Sequence, residues 1–324
     1  MRIERIILIF GFTILMVTVS MLYILSGIES LQSHPVIVIV KLIMFIGFIY
    51  EVFLDAKSSY HQPLLKRYYW NIESVYEVAA LITGSIVTYF ISIEIGHGGV
   101  IASAIVGMTA VIIFPYYAAA AAYCGSFVGM ASTILFSSYE ELLLAGVFSS
   151  MIFIMVKPVC KGFGGKLGTI AFAGSLYSIT ILGSPVITHT IPSLEIGISL
   201  VVYSVTGAYL TYLINVILGH GPVIASALVG LLAGLLLPVI HGTSDGSTMA
   251  LMVFCASFTG MSSRERIRSS YLIMLAGALT ALLFIYSMPH LGGAGGKLGT
   301  IAFGAVIAVS GIDKLVRRGI QKAR

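Results

Sequence analysis

Apolar runs long enough to cross a bilayer follow one another along the whole chain, and no other feature limits its fold so tightly. A membrane-spanning helix needs about 20 mostly apolar residues. Runs of that kind lie near 5–26, 35–55, 76–95, 98–115, 116–133, 142–158, 167–183, 196–218, 221–240, 249–262, 269–287 and 298–312. That gives about twelve spans. Segments 116–133 and 249–262 are short enough to be re-entrant, which would leave ten. The composition agrees: 58% of the 324 residues are hydrophobic and 10% charged, where a soluble domain carries roughly 25% charged residues. Too little polar material remains to cover a water-soluble surface. The same shortage argues against disorder and nucleic-acid binding, so the net charge of +5 reads as basic loops beside an anionic leaflet.

Positive charge on cytoplasmic loops separates the two counts. With twelve spans and both termini cytoplasmic, Arg2, Arg5, Lys57, Lys66, Arg67, Lys157, Lys161, Lys166, Arg264, Arg266, Arg268, Lys314, Arg317, Arg318, Lys322 and Arg324 fall inside. Lys297 alone falls outside, and Lys41 lies within a span. Ten spans would move Lys157, Lys161 and Lys166 outside, so twelve fit better. The run from Ile6 to Ile24 is longer than a signal-peptide core and reads as a retained span. The expectation is an all-α polytopic protein of the cell membrane. Lys66 to Trp70 reads as an interfacial anchor with an aromatic belt.

An internal duplication refines this. Residues 96–107 (Gly-His-Gly-Gly-Val-Ile-Ala-Ser-Ala-Ile-Val-Gly) return at 219–230 with ten of twelve identical, an offset of 123. Farther on the offset is 131: 124–132 matches 255–263 at six of nine positions, and 164–172 matches 295–303 at all nine. The second copy therefore gains eight residues, most economically within His241–Thr248. Each copy holds five spans, an odd number, which turns the second upside down relative to the first. The loops agree, since Ser-Ser-Tyr-Glu-Glu in one copy stands where Ser-Ser-Arg-Glu-Arg-Ile-Arg stands in the other. The organisation expected is two N-terminal spans and a loop (1–70), a first repeat (71–190), an inverted second repeat (191–312) and a basic tail (313–324). Many secondary transporters and some channels share that general plan.

Several repeated positions are candidates for chemistry. Lys166 and Lys297 open the last helix of each copy after two glycines, with Thr169 and Thr300 one turn on. Free N–H groups at a helix N-terminus attract anions, so two Lys–Thr pairs would make two anion corners. The alternative is lysines snorkelling to headgroups over close-packed Gly-x-x-x-Gly pairs. His97 and His220 sit in matching Gly-His-Gly turns; they would either contact a proton or solute or cap a helix end. Ser103 and Ser226 lie in Val-Ile-Ala-Ser-Ala segments whose small residues suit tight helix crossing. Lys41, deep in the second run, is either functional or snorkelling.

No metal site or cofactor is expected. Cys124, Cys160 and Cys255 form no C-x-x-C pair. The Gly-Gly-Lys segments continue with Leu167 and Leu298 where a P-loop has Ser or Thr.

The functional expectation is a non-enzymatic transporter or channel for a small solute or ion, more readily an anion, with its pathway between the repeats. The partners expected are that solute, the lipid bilayer and, optionally, further copies of the chain. A membrane-embedded enzyme acting on a lipid-like substrate would need a catalytic constellation, and no spacing here matches one. A non-catalytic scaffold would need more loop surface than this chain carries.

Overall fold

A computed structural model describes residues 3–31, 33–61, 71–185 and 187–323. Arg2, Arg324 and the anchor segment Lys66–Trp70 lie outside the described residues. Twelve α-helices are found among those described: α1 (Ile3–Ser30), α2 (Pro35–His61), α3 (Ile72–Tyr89), α4 (Gly99–Ile113), α5 (Tyr116–Gly129), α6 (Tyr139–Met155), α7 (Lys166–Leu182), α8 (Leu194–Tyr212), α9 (Pro222–His241), α10 (Thr243–Gly260), α11 (Ser270–Ser287) and α12 (Lys297–Ala323). There are no strands among them, only an isolated antiparallel bridge between Ile187 and Gly292.

Seven helices, namely α1, α2, α3, α8, α9, α11 and α12, are long and apolar enough to cross a membrane. This is a multi-pass helical membrane protein. Its outer face bears that out, because Ile112, Leu194, Val239 and Tyr271 are all more than 80% exposed, an arrangement suited to lipid rather than to water. The 14 residues of α5 rise only about 21 Å, short of the roughly 30 Å hydrocarbon core.

Local chemistry sets the helix ends. Asn71, Ser138 and Ser269 are N-caps whose side chains accept the N–H of Ser74, Glu141 and Leu272. Ser138 and Ser269 are 131 residues apart, the offset of the matched segments. Both α3 and α8 finish in one π-helical turn, Phe90–Glu94 and Leu213–Ile217. The chain then leaves through Gly-His-Gly. Gly96 and Gly98 have φ of 83° and 75° there, and Gly219 and Gly221 have 76° and 85°; side chains are disfavoured by the backbone itself.

The helices pack in matching sets. Helix α5 lies against α3 and α4, α10 against α8 and α9, α6 against α7, and α11 against α12. Corresponding helices meet at the centre, α4 with α9 and α7 with α12. The latter crossing is very close, since a Cβ added to Gly168 would lie 2.5 Å from the Cα of Gly299. Between them, Phe127, Phe254 and Phe258 pack with ring centroids 4.7–6.2 Å apart, and Tyr123 caps the group 4.5 Å from Phe127. Helices α1 and α2 join chiefly α11 and α12.

The helices also outrun the apolar runs. The polar stretch from His241 to Thr248 is mostly helical, ending α9 and opening α10 across the single residue Gly242, whose φ is 82°. Asp245 in the first turn of α10 suits the positive end of the helix dipole. Segment 313–323 continues α12, with Asp313 paired to Arg317 one turn on and to Arg268 at 3.0 Å.

Candidate functional site

Each Gly-Gly-Lys segment follows a helix end and opens a new helix, and in both the lysine reaches back. The Lys166 amine donates to the carbonyls of Val156 and Val159 at 2.6 Å. The Lys297 amine donates to the carbonyl of Ser287 at 2.6 Å and to that of His290. Carbonyls at a helix C-terminus have no intrahelical partner and carry partial negative charge, so each lysine caps the preceding helix. Both amines are partly buried against these carbonyls. Thr169 and Thr300 donate back to the Gly165 and Gly296 carbonyls of their own first turn, at 3.3 and 3.4 Å.

The surroundings of the two corners differ. At Lys166, Gly164 N–H donates to Ser262 Oγ at 3.1 Å and Ser263 N–H to the Gly162 carbonyl at 2.8 Å. Arg266 stacks over Phe163, 4.2 Å from the ring centre, and pairs with Asp55 at 2.9 Å. Asp55 also accepts the Cys160 N–H at 3.2 Å, and Lys314 pairs with the buried Glu51. Burial, with the Asp55 carboxylate beside it, pushes the Cys160 thiol well above the usual thiol range. This corner is packed shut.

At Lys297 the matching contact persists, Ser132 N–H donating to the Gly293 carbonyl at 2.9 Å. Ala294 and Leu135 stand at the positions of Phe163 and Arg266. A partly open cavity of about 470 Å³ lies here. Phe127 of α5, Met130 just beyond that helix, Leu251 of α10 and Phe284 of α11 line it, and Lys297 and Leu298 start α12 at its wall. His189, from the connection between α7 and α8, lines it together with Ser132 and Thr248.

Of the eight repeated residues singled out in the sequence, Lys297 alone lines this cavity. Ser103 and Ser226 are fully buried and tie helices together, bonding at 2.7 Å to Ser126 and Ser257; Tyr123 OH adds a 3.0 Å bond to Ser226. His97 and His220 are exposed in their turns. Lys41 does not snorkel: it is 6% exposed, donates to the carbonyl and hydroxyl of Ser26 at 2.6 Å, and sits 4.1 Å from the Tyr286 ring centre. Phe127, Met130 and Ser132 belong to the duplicated 124–132 segment, so the sequence pointed near them. His189, Leu251 and Phe284 carried no sequence signal.

Among the described residues, no group of three or more His, Cys, Asp or Glu is placed to hold a metal ion. Comparisons with protein-family models, curated proteins and solved structures return no match to this chain.

Proposed function

We propose that this protein is a membrane transporter or channel for a small solute, more readily an anion, built from two inverted five-helix repeats behind two N-terminal helices. Paired local geometry supports the repeat. Cys124 and Cys255 donate to the carbonyls of Leu167 and Leu298, each at 3.1 Å. Gly165 and Gly296 have φ of 84° and 86°, and the two π-helical turns are 123 residues apart. The eight extra residues of the second copy are accounted for by longer α9 and α10 helices. Inversion gives the arrangement twelve crossings with cytoplasmic termini, the short α5 crossing through bilayer thinned by its neighbours.

The observation that carries the functional reading is the cavity at Lys297. It draws its walls from both repeats, as a pathway at their interface would. In the inverted arrangement it faces outward, while the Lys166 corner faces the cytoplasm and is closed. One open corner and one closed corner fit an outward-facing state of an alternating-access carrier. Proteoliposomes containing the purified protein should take up at least one member of a panel of small anions, cations and neutral solutes. Absence of flux across the whole panel would end this reading.

A further inference from the structure

We infer that the cavity beside Lys297 is a binding site for a water-soluble organic monoanion, a carboxylate or sulfonate carried on a compact apolar body. Its purpose rests on the transport reading above, but the binding stands or falls by itself.

The charge comes from one place. A lysine amine has three N–H donors, and Lys297 commits two of them to the Ser287 and His290 carbonyls. The third remains. The backbone N–H groups of Lys297 and Leu298 open α12, where no intrahelical acceptor exists and the helix dipole is positive; both residues line the cavity. No Asp or Glu lines it, and nearby Glu29 is 3.3 Å from His290. One positive centre with a few donors matches one carboxylate or sulfonate group.

The rest of the wall selects the body. Phe127, Met130, Ile134, Ile187, Leu251 and Phe284 present apolar surface. An inorganic anion would lose its hydration there and find few donors to replace it, and a cation would meet Lys297. The volume of about 470 Å³ falls in the roughly 300–1,000 Å³ range of small-molecule sites. One wall is closed, because Phe127 there packs 4.8 Å from Phe258 within the aromatic cluster. A long lipid tail has no room to continue past it. Ser132, Thr248 and His189 leave polar contacts for a substituent on the solute.

The test is equilibrium binding to the protein in nanodiscs of zwitterionic lipid. The probes are acetate, butyrate, hexanoate, octanoate, oleate, benzoate and benzenesulfonate, with benzyl alcohol, benzylammonium, chloride and phosphate alongside. Affinity should rise about tenfold or more from acetate to benzoate or hexanoate and fall again at oleate. Benzyl alcohol and benzylammonium should bind at least about tenfold more weakly than benzoate, and chloride and phosphate should fail to displace it. Lys297→Gln should weaken benzoate binding about tenfold, with Lys166→Gln reporting how much stability the lost helix cap costs. Where Lys297→Gln does not fold, Leu251→Trp decides: it narrows the cavity and should move the optimum to shorter bodies.

Equal binding of benzyl alcohol and benzoate, displacement by chloride or phosphate, or an optimum unmoved by Leu251→Trp would overturn the assignment. Affinity climbing through oleate would mark a lipid groove and overturn it equally. Benzoate binding without uptake of any solute would keep the site and remove the transport reading. Uptake of small anions with no dependence on the apolar body would do the opposite.

Discussion

The Lys166 and Lys297 corners share nine consecutive identical residues, yet one is solid and the other hollow. The shared residues fix the backbone: left-handed glycines, a lysine capping the helix before it and a threonine bonded within its own turn. What differs stands just outside them. Phe163 and Arg266 pack together at Lys166, whereas at Lys297 the smaller Ala294 stands in place of Phe163 and lines the cavity. Asp55 and Glu51, both on α2, then lock the filled corner through Arg266 and Lys314. The lesson is that identity marks the scaffold of this protein, and function is to be sought where the copies diverge.

The largest effect should come from making the closed corner resemble the open one. Arg266→Leu strips Asp55, 6% exposed, of its ionic partner, and breaking a buried pair in this way costs about 3 kcal/mol or more. Phe163→Ala removes a buried ring, again about 3 kcal/mol or more. Unfolding in detergent should register both losses, and adding Asp55→Asn to Arg266→Leu should recover part of the first. Unchanged stability would mean that the Arg266–Asp55 lock does not hold the corner.

The reverse exchange, Ala294→Phe, should fill the open corner. It is expected to abolish benzoate binding while changing stability by about 1 kcal/mol or less, since the ring enters existing space. Retained binding would place the site elsewhere. Next in size, Ser138→Ala and Ser269→Ala should each cost about 1 kcal/mol as lost N-caps, and the two losses should agree if the copies share a local fold. The smallest effects belong to the exposed turns. His97→Gln and His220→Gln should alter stability by less than about 0.5 kcal/mol. If uptake changes between about pH 5.5 and 7.5 and either substitution flattens that change, the turns belong to the pathway after all.

Much of the fold was legible because a helix surrounded by lipid leaves a continuous apolar run of about 20 residues. The starts of α7 and α12 follow from the Gly-Gly-Lys segments that the sequence marks in both copies. The reach of α10 back to Thr243 was not legible, since its first turns are polar and a hydropathy reading starts it near Met249. The π-helical turns were hidden for another reason: Phe90–Glu94 and Leu213–Ile217 share little sequence, and the geometry belongs to the backbone. The site was legible only in part. Lys297 stood out as a lone basic residue outside, but its bonds to Ser287 and His290 run to main-chain carbonyls, which no side-chain pattern announces. The small residue at the cavity wall, Ala294 in place of Phe163, shows only when the copies are compared position by position.

The central claim is that the second half is the first turned over in the membrane, and labelling single cysteines from one side tests it most directly. The three native cysteines are buried, and Cys160 is held in its unreactive thiol form, so the background should be quiet. Glu140→Cys and Arg264→Cys place one thiol each at exposed positions, the first in the opening turn of α6 and the second in the turn between α10 and α11. An impermeant maleimide added to intact cells should label Glu140→Cys alone, and Arg264→Cys should react only after the membrane is opened. Labelling of both from outside, or of Arg264→Cys alone, would contradict the inverted arrangement.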